Sequence, residues 1–363
     1  MKGAPVERLD VHAFTVPTDA PESDGTFEWD STTIVVVHVH AAGKVGLGYT
    51  YGDASVADLI NHTLAHAITA QDAFDTGAAW VRMVRAVRNV GRPGLASMAI
   101  SAVDVALWDL KARLLDIPLA CLFGVVRREV PLYGSGGFTS YSNERLCAQL
   151  AGWVSSGFTR VKMKVGRDLR EDATRIEAAR EAIGPEAELF IDANGALSRA
   201  QALRFAEDAA QMGVSWFEEP VSSDDLEGLR WLRDRAPAGM AIAAGEYGYD
   251  LPYFQRMLDA GAVHVLQADA TRCGGLTGFF GVAPLCEARS LLLSAHTAPS
   301  LHVHACCAVR PFAHLEYFHD HVRVEHLLFD GAADAKDGVL RPDLSRPGLG
   351  LELKNRDADR YRV

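Results

Sequence analysis

The sequence predicts an α/β protein: a modified TIM barrel of the (β/α)7β type with an α+β domain in front of it. Three observations carry this. From Val130 onward short apolar runs alternate with helical stretches; residues 55 to about 122 show apolar positions at three- and four-residue spacing; and the first 55 or so residues read as β. Eight strand-like runs at a βα spacing call for parallel strands closed on one another. An open doubly wound sheet is the competitor, but no GxGxxG follows a strand and opens a helix.

In chain order, "RLDVHAFTV" and "TTIVVVHVH" are strand-like, and "AAGK" turns the second into "VGLGYTYG". Between the first two, "PTDAPESDGTFEWD" is expected to be a loop of turn formers and acids carrying Phe27 and Trp29. Helices are expected in "SVADLINHTLAHAI", "AAWVRMVRAVRNV" and "ASMAISAVDVALWDLKARLL", with Pro118 and Gly124 ending the run. The barrel strands are "VPLYGSG", "RVKMKVG", "ELFIDANG", "VSWFEEP", "AIAAGE", "VHVLQAD", "LLLSAHT" and "HLEYF". No clear amphipathic helix follows the last, which is why the eighth helix is left out. The turn-rich tail "GVLRPDLSRPGLGLELK" is expected to return to the N-terminal part. The expected division is residues 1–125, completed by about 330–363, and a barrel over 126–329.

Polar residues gather at the strand ends: Lys162 and Lys164, Asp192 and Asn194, Glu218, Glu246, Asp269, His296 and Glu316. From Lys164 the steps are 28, 26, 28, 23, 27 and 20 residues, close to one βα unit each. A parallel barrel brings such residues together at its C-terminal face, where these folds build active sites. Three carboxylates on consecutive strands suit a hard cation such as Mg²⁺. Asp269 beside His296 can fix the imidazole tautomer. Glu219 should point to the other face and take a structural role, and Arg272 can serve either a substrate or a salt bridge.

These motifs in this order ("KMK", "IDANG", "WFEEP", "AAGE", "QADATRCGG", "SAHTAPS" and "LEY") resemble the mandelate racemase subgroup of the enolase superfamily. The likeness extends to "MAISAVDVALWDLKARLLDIPLACLFG", similar to that family's helical capping domain and its junction with the barrel, so it spans nearly the whole chain. The resemblance implies Asp192, Glu218 and Glu246 as Mg²⁺ ligands, Lys164 as a base with Lys162 its neighbour, and Asp269 and His296 as a dyad facing it. It implies that Glu316, protonated, hydrogen-bonds a substrate carboxylate. Asn194 matches a substrate contact, and Ser135, Trp29, Tyr49 and Tyr51 are further candidates, the aromatics on loops of the cap.

The implied chemistry is proton removal next to a carboxylate, forming an enediolate. A lysine of ordinary pKa is a poor base at neutral pH, so a second ammonium and a dication are expected to lower that of Lys164. Dehydration of an aldonate or aldarate to a 2-keto-3-deoxy acid is preferred; racemisation or epimerisation of a 2-hydroxy acid through the same enediolate is the alternative. A metal-dependent sugar-acid sensor is the non-catalytic alternative. Whether Lys164 or His296 acts first stays open.

A formal net charge of −11 without a basic block argues against nucleic acid or an anionic membrane as partner. No apolar leader or spanning run is present, so a cytoplasmic location is expected, with a small anionic substrate and a symmetric dimer or octamer. The six scattered cysteines lack CxxC spacing and point to neither zinc nor disulfides. "HVH" at His38–His40 and at His302–His304 starts no barrel, which argues against a zinc amidohydrolase. "HLEYFHDHVRVEH" is expected to be solvated surface or a subunit contact rather than a metal site.

Overall fold

The computed structural model of this chain describes residues 3–363. β1 (Arg8–Ser23), β2 (Glu28–Ala41) and β3 (Lys44–Tyr51) form an antiparallel meander. The unbroken apolar run in β2 arises because both faces are covered. Val35, Val37 and Val39 pack on the cap helices, while Ile34 and Val36 join the core continuous with the barrel. The 21-residue helix Leu95–Leu115 lies tightly on β3. Gly46 and Gly48 permit this, since a Cβ on either would stand 2.2 Å from a carbonyl oxygen of that helix.

The expected loop over residues 17–30 is mostly strand. β1 continues through Pro17 and Pro21 across a register shift, and pairing resumes with Glu22 opposite Trp29 and Ser23 opposite Glu28. The bulge accommodates prolines that cannot donate to the ladder, so only a short turn around Asp24–Phe27 remains.

Eight parallel strands then close the barrel: β4 (Val130–Gly136), β5 (Arg160–Lys164), β6 (Glu188–Asp192), β7 (Val214–Glu218), β8 (Ala241–Ala244), β9 (Val265–Ala268), β10 (Leu292–Ala295) and β11 (Phe312–Phe318), with β11 pairing back to β4. Along β5, Val161 and Met163 enter the core shared with the surrounding helices while Lys162 and Lys164 take the alternate face. Tyr133, Phe190, Trp216 and His314 fill the barrel interior, with the Phe190 and Trp216 rings stacked at 5.1 Å. Lys162 lies 5.3 Å from the Tyr133 ring, between this aromatic plug and the acidic groups.

A ten-residue helix, His319–Leu328, does follow the last strand. Its pattern is obscured in sequence because Asp320, His321 and Glu325 are buried on it. They dock the cap. Thr32 donates to Asp320, the Tyr49 hydroxyl donates to Glu325 Oε1 at 2.6 Å, and the Tyr51 ring stacks on His321 with centroids 3.4 Å apart. The stretch expected to be solvated is therefore an internal joint. Further on, residues 339–340 pair with β4, Leu119 donates to the Gly348 carbonyl, and Val363 to that of Ala13, so the tail runs back to the cap. Among the described residues no helix is long and apolar enough to cross a membrane.

Burial raises the Glu325 carboxyl from 4.5 to about 7, although Tyr49 and Ser300 donate to it. Between those values the folded chain binds the proton and the unfolded chain does not, so stability falls as pH rises through this window. Glu325→Gln removes that titration. Wild type should lose on the order of 3 kcal/mol relative to the variant between pH 4.5 and 7, at roughly 1.4 kcal/mol per pKa unit. Urea unfolding of both proteins at the two pH values measures it, and parallel pH profiles would refute it.

Candidate active site

The strand ends assemble a buried ionic cluster. Oxygens of Asp192, Glu218 and Glu246 all lie within 4.8 Å of one another, and all three residues are buried. Lys162 Nζ donates to both Glu218 oxygens at 2.7 Å and stands 2.9 Å from Glu316 and 3.4 Å from Asp192. Lys164 Nζ donates to Asp192 at 2.6 Å. Across the cluster, His296 Nδ1 lies 2.8 Å from Asp269 Oδ2, and its Nε2 lies 3.3 Å from Glu246 and 3.7 Å from Glu316. With Asp269 accepting from Nδ1–H, Nε2 is the ring nitrogen turned toward Glu246 and Glu316.

Each group is held from behind. Arg175, itself buried, donates to the carbonyls of Lys164, Gly137 and Phe138 and so ties the ends of β4 and β5. The Asn194 N–H donates to Asp192, the Trp216 indole to Glu218, and the Thr271 N–H to Asp269. His302 accepts from the Ala270 N–H and lies 2.9 Å from the Thr297 carbonyl, so this residue of the second "HVH" braces two site loops. Asn194, Glu219 and Thr297 have φ of 46°, 39° and 49°, left-handed turns just past their strands. Such strain is held in place where surrounding contacts over-determine it.

Two charges are set by the protein groups packed around them. Burial disfavours the Lys164 ammonium and Lys162 adds to that, but Asp192, Glu246 and Glu218 together outweigh both, and the pKa stands above that of an ordinary lysine. Glu316 is the second. Burial favours its neutral form, yet Lys162, His296 and Lys164 hold it down at about 2, so it is a carboxylate rather than a protonated donor. Burial also opposes the His296 imidazolium, but Glu246 and Asp269 carry its pKa up to about 10. Lys164 and Glu316 share a cause: the two ammonium groups face more carboxylates than each other.

Family comparisons agree with this architecture along the chain. The mandelate racemase / muconate lactonizing enzyme N-terminal domain matches residues 10–124, and the enolase C-terminal domain-like family matches residues 145–358. The chain belongs to the mandelate racemase family of the enolase superfamily. A 3,6-anhydro-alpha-L-galactonate cycloisomerase of Streptomyces coelicolor is 36% identical over 353 residues, covering 95% of this chain and 96% of the relative. An L-talarate/galactarate dehydratase of Salmonella typhimurium is 31% identical over 326 residues, covering 88% and 80%. Among solved structures, a mandelate racemase/muconate lactonizing enzyme-like protein from Rubrobacter xylanophilus superposes with a TM-score of 0.97 at 57% identity, over 99% of this chain and all of the other. A racemase from Streptomyces coelicolor with bound magnesium gives 0.93 at 33% identity, covering 99% and 100%.

In this mandelate racemase family member, Lys164, Glu246, His296, Glu316, Asn194, Trp29 and Tyr51 all line one cavity of about 540 Å³. Trp29 is fixed by donating its indole N–H to Glu22 at 2.8 Å. Ser135 is not on that wall: it is fully buried, level with Lys162 in the β4–β5 register. Tyr49 is likewise buried in the cap joint. Arg272 reaches the cavity but is engaged, 3.6 Å from Glu246 and 3.7 Å from Asp269. Glu219 is buried close to the acidic cluster, with Oε1 unpartnered among the described residues, and borders a second cavity that shares Asn194 and Tyr247 with the first. The sequence reading missed His321, Asp24 and Asp53 in the main cavity. Only the polar residues crowded past β11 signalled the first; the two aspartates lie in the cap stretches whose aromatics, Trp29 and Tyr51, were the candidates there.

Proposed function

We propose that this enzyme is a Mg²⁺-dependent hydro-lyase of a sugar acid, an aldonate or aldarate, giving a 2-keto-3-deoxy acid. The observation that carries the reading is one cavity lined by both Lys164 and the Asp269-held His296, next to three clustered carboxylates. Asp192, Glu218 and Glu246 supply the oxygen donor set that a hard dication prefers, and the S. coelicolor racemase structure contains magnesium. These residues would hold Mg²⁺, which would supply stabilisation of negative charge developing on the substrate carboxylate; Asp192, shared with a dication, would hold the Lys164 proton less strongly.

Lys164, as the amine, takes the proton from C2, and the C–H electrons pass into the enediolate of the substrate. His296 Nε2 gives its proton to the 3-hydroxyl oxygen as the C3–O bond breaks, and water leaves. The resulting enol becomes the 2-keto acid. Asp269 keeps the donating nitrogen oriented throughout. Burial between the cap and the aromatic plug excludes bulk water from the ionic groups and strengthens these interactions.

A second reading has a specific support: the S. coelicolor relative is named a cycloisomerase. The same proton removal from an acid whose C3 oxygen is closed in a ring would open that ring without loss of water. The test is a panel of open-chain and anhydro sugar acids with the Mg²⁺-loaded enzyme, followed by mass spectrometry and by proton NMR in D₂O. A 2-keto product one water lighter than its substrate is expected. A product of unchanged mass from an anhydro acid establishes the second reading. Exchange at C2 without elimination would instead indicate a racemase or epimerase, and thermal stabilisation without turnover a sensor.

A further inference from the structure

We infer that the substrate carries a single carboxylate, and that its far end is neutral and hydroxyl-bearing, received by Asp24 and Asp53 of the cap. The inference deepens the sugar-acid reading and rests on it. It follows from the uneven distribution of charge around the main cavity. Among the described residues, the cations on its wall are Lys164, Arg272 and His296. All three rise from the strand ends of the barrel, and each is already opposed by carboxylates there. That end is where a substrate carboxylate finds compensation.

The cap wall is of the other kind. It contributes Asp24 and Asp53, the hydroxyls of Ser31, Thr32 and Thr33, and no lysine or arginine. His321, the one titratable base near it, has its imidazole pushed down to about 3, chiefly by burial and then by the charge of His296, and so adds no cation. Asp24 is nearly buried. Its Oδ1 accepts from the Thr26 N–H and hydroxyl and from the Phe27 N–H, which locks the side chain, while among the described residues nothing donates to Oδ2. Asp53 is exposed at the cavity, anchored through Oδ1 by the Ser55 N–H at 2.8 Å.

Carboxylates held this way are acceptors without donors, and the hydroxyls of a sugar chain are donors. A terminal CH₂OH, or hydroxyls on a ring, can satisfy them. A second carboxylate would instead meet like charges without a cation to balance them, and like-charge juxtaposition is a strong means of rejecting a wrong partner. Aldonates, and cyclic acids with one carboxyl group, fit this wall; aldarates do not.

The test uses matched pairs that differ only at C6, galactonate against galactarate and gluconate against glucarate, extended to every C2–C5 configuration. The Mg²⁺-loaded enzyme is assayed for kcat/KM and, by calorimetry, for affinity. For the best configuration, the aldonate should exceed its aldarate by about 100-fold, in line with one uncompensated charge. Asp53→Lys should shrink that ratio at least 10-fold, mainly by raising the aldarate. An aldarate bound or turned over as well as its aldonate overturns the inference while leaving the hydro-lyase reading intact. If neither class is turned over, the affinity ratio still decides. Failure of this panel and of 3,6-anhydro aldonates alike to bind overturns both.

Discussion

His296→Asn should lower kcat for elimination by about 10³-fold, within the range that general acid catalysis contributes. The amide can still donate to Asp269, so the local geometry is preserved while the proton at Nε2 is lost. The fold should be unchanged, because His296 makes its contacts to site carboxylates rather than to the hydrophobic core. Lys164→Ala should cost at least as much. The two variants differ in a second readout. If Lys164 takes the C2 proton, His296→Asn retains exchange of that proton in D₂O and Lys164→Ala loses it. The reverse pattern would assign the first step to His296. Near wild-type elimination in His296→Asn would exclude it as the acid.

Lys162→Met should destabilise the fold by about 3–5 kcal/mol, the usual consequence of removing one partner of a buried ion cluster. Its ammonium is fully buried and stands between Glu218, Glu316 and Asp192. Without it three carboxylates share a dry pocket above an aromatic plug, and the positive charges left nearby are those of Lys164 on Asp192 and His296 beside Glu316. Saturating Mg²⁺ should restore part of the loss, because a dication on Asp192 and Glu218 supplies positive charge to the same oxygens. Urea unfolding of wild type and variant, each with EDTA and with Mg²⁺, measures both effects. A cost below about 1 kcal/mol would place the pair among those of little net worth. A cost unaffected by Mg²⁺ would argue against a metal on those carboxylates.

Most of the barrel could be read from the sequence because its information is local. Each βα unit repeats a buried strand, a polar residue at the strand end and an amphipathic helix, so counting along the chain places Lys164, Asp192, Glu218, Glu246, Asp269, His296 and Glu316 on one rim. The misreadings have different origins. Residues 17–30 carry turn formers, and only the partner strand shows that Glu22 and Ser23 resume pairing after a bulge. The helix after β11 lacks a clean apolar face because Asp320, His321 and Glu325 are buried against the cap rather than solvated. Ser135 ends a strand like the others, yet its register leaves it level with Lys162 and away from the cavity.

By itself, then, the sequence determined the order of the elements, the barrel class and the identity of the polar groups at the strand ends. These depend on periodicity and spacing. Only the tertiary structure decided what those groups carry and what faces them. Two lysines two residues apart look like mutual repulsion in one dimension, but in the barrel Lys162 meets Glu218 and Glu316 and Lys164 meets Asp192. The same crowding keeps Glu316 ionised. The charge of the cap wall, with Asp24 and Asp53 and no cation among the described residues, was equally hidden, because the cap stretches that carry them are distant in sequence from the strand ends that they face. Charge and desolvation depend on distances in space, which a linear pattern does not contain.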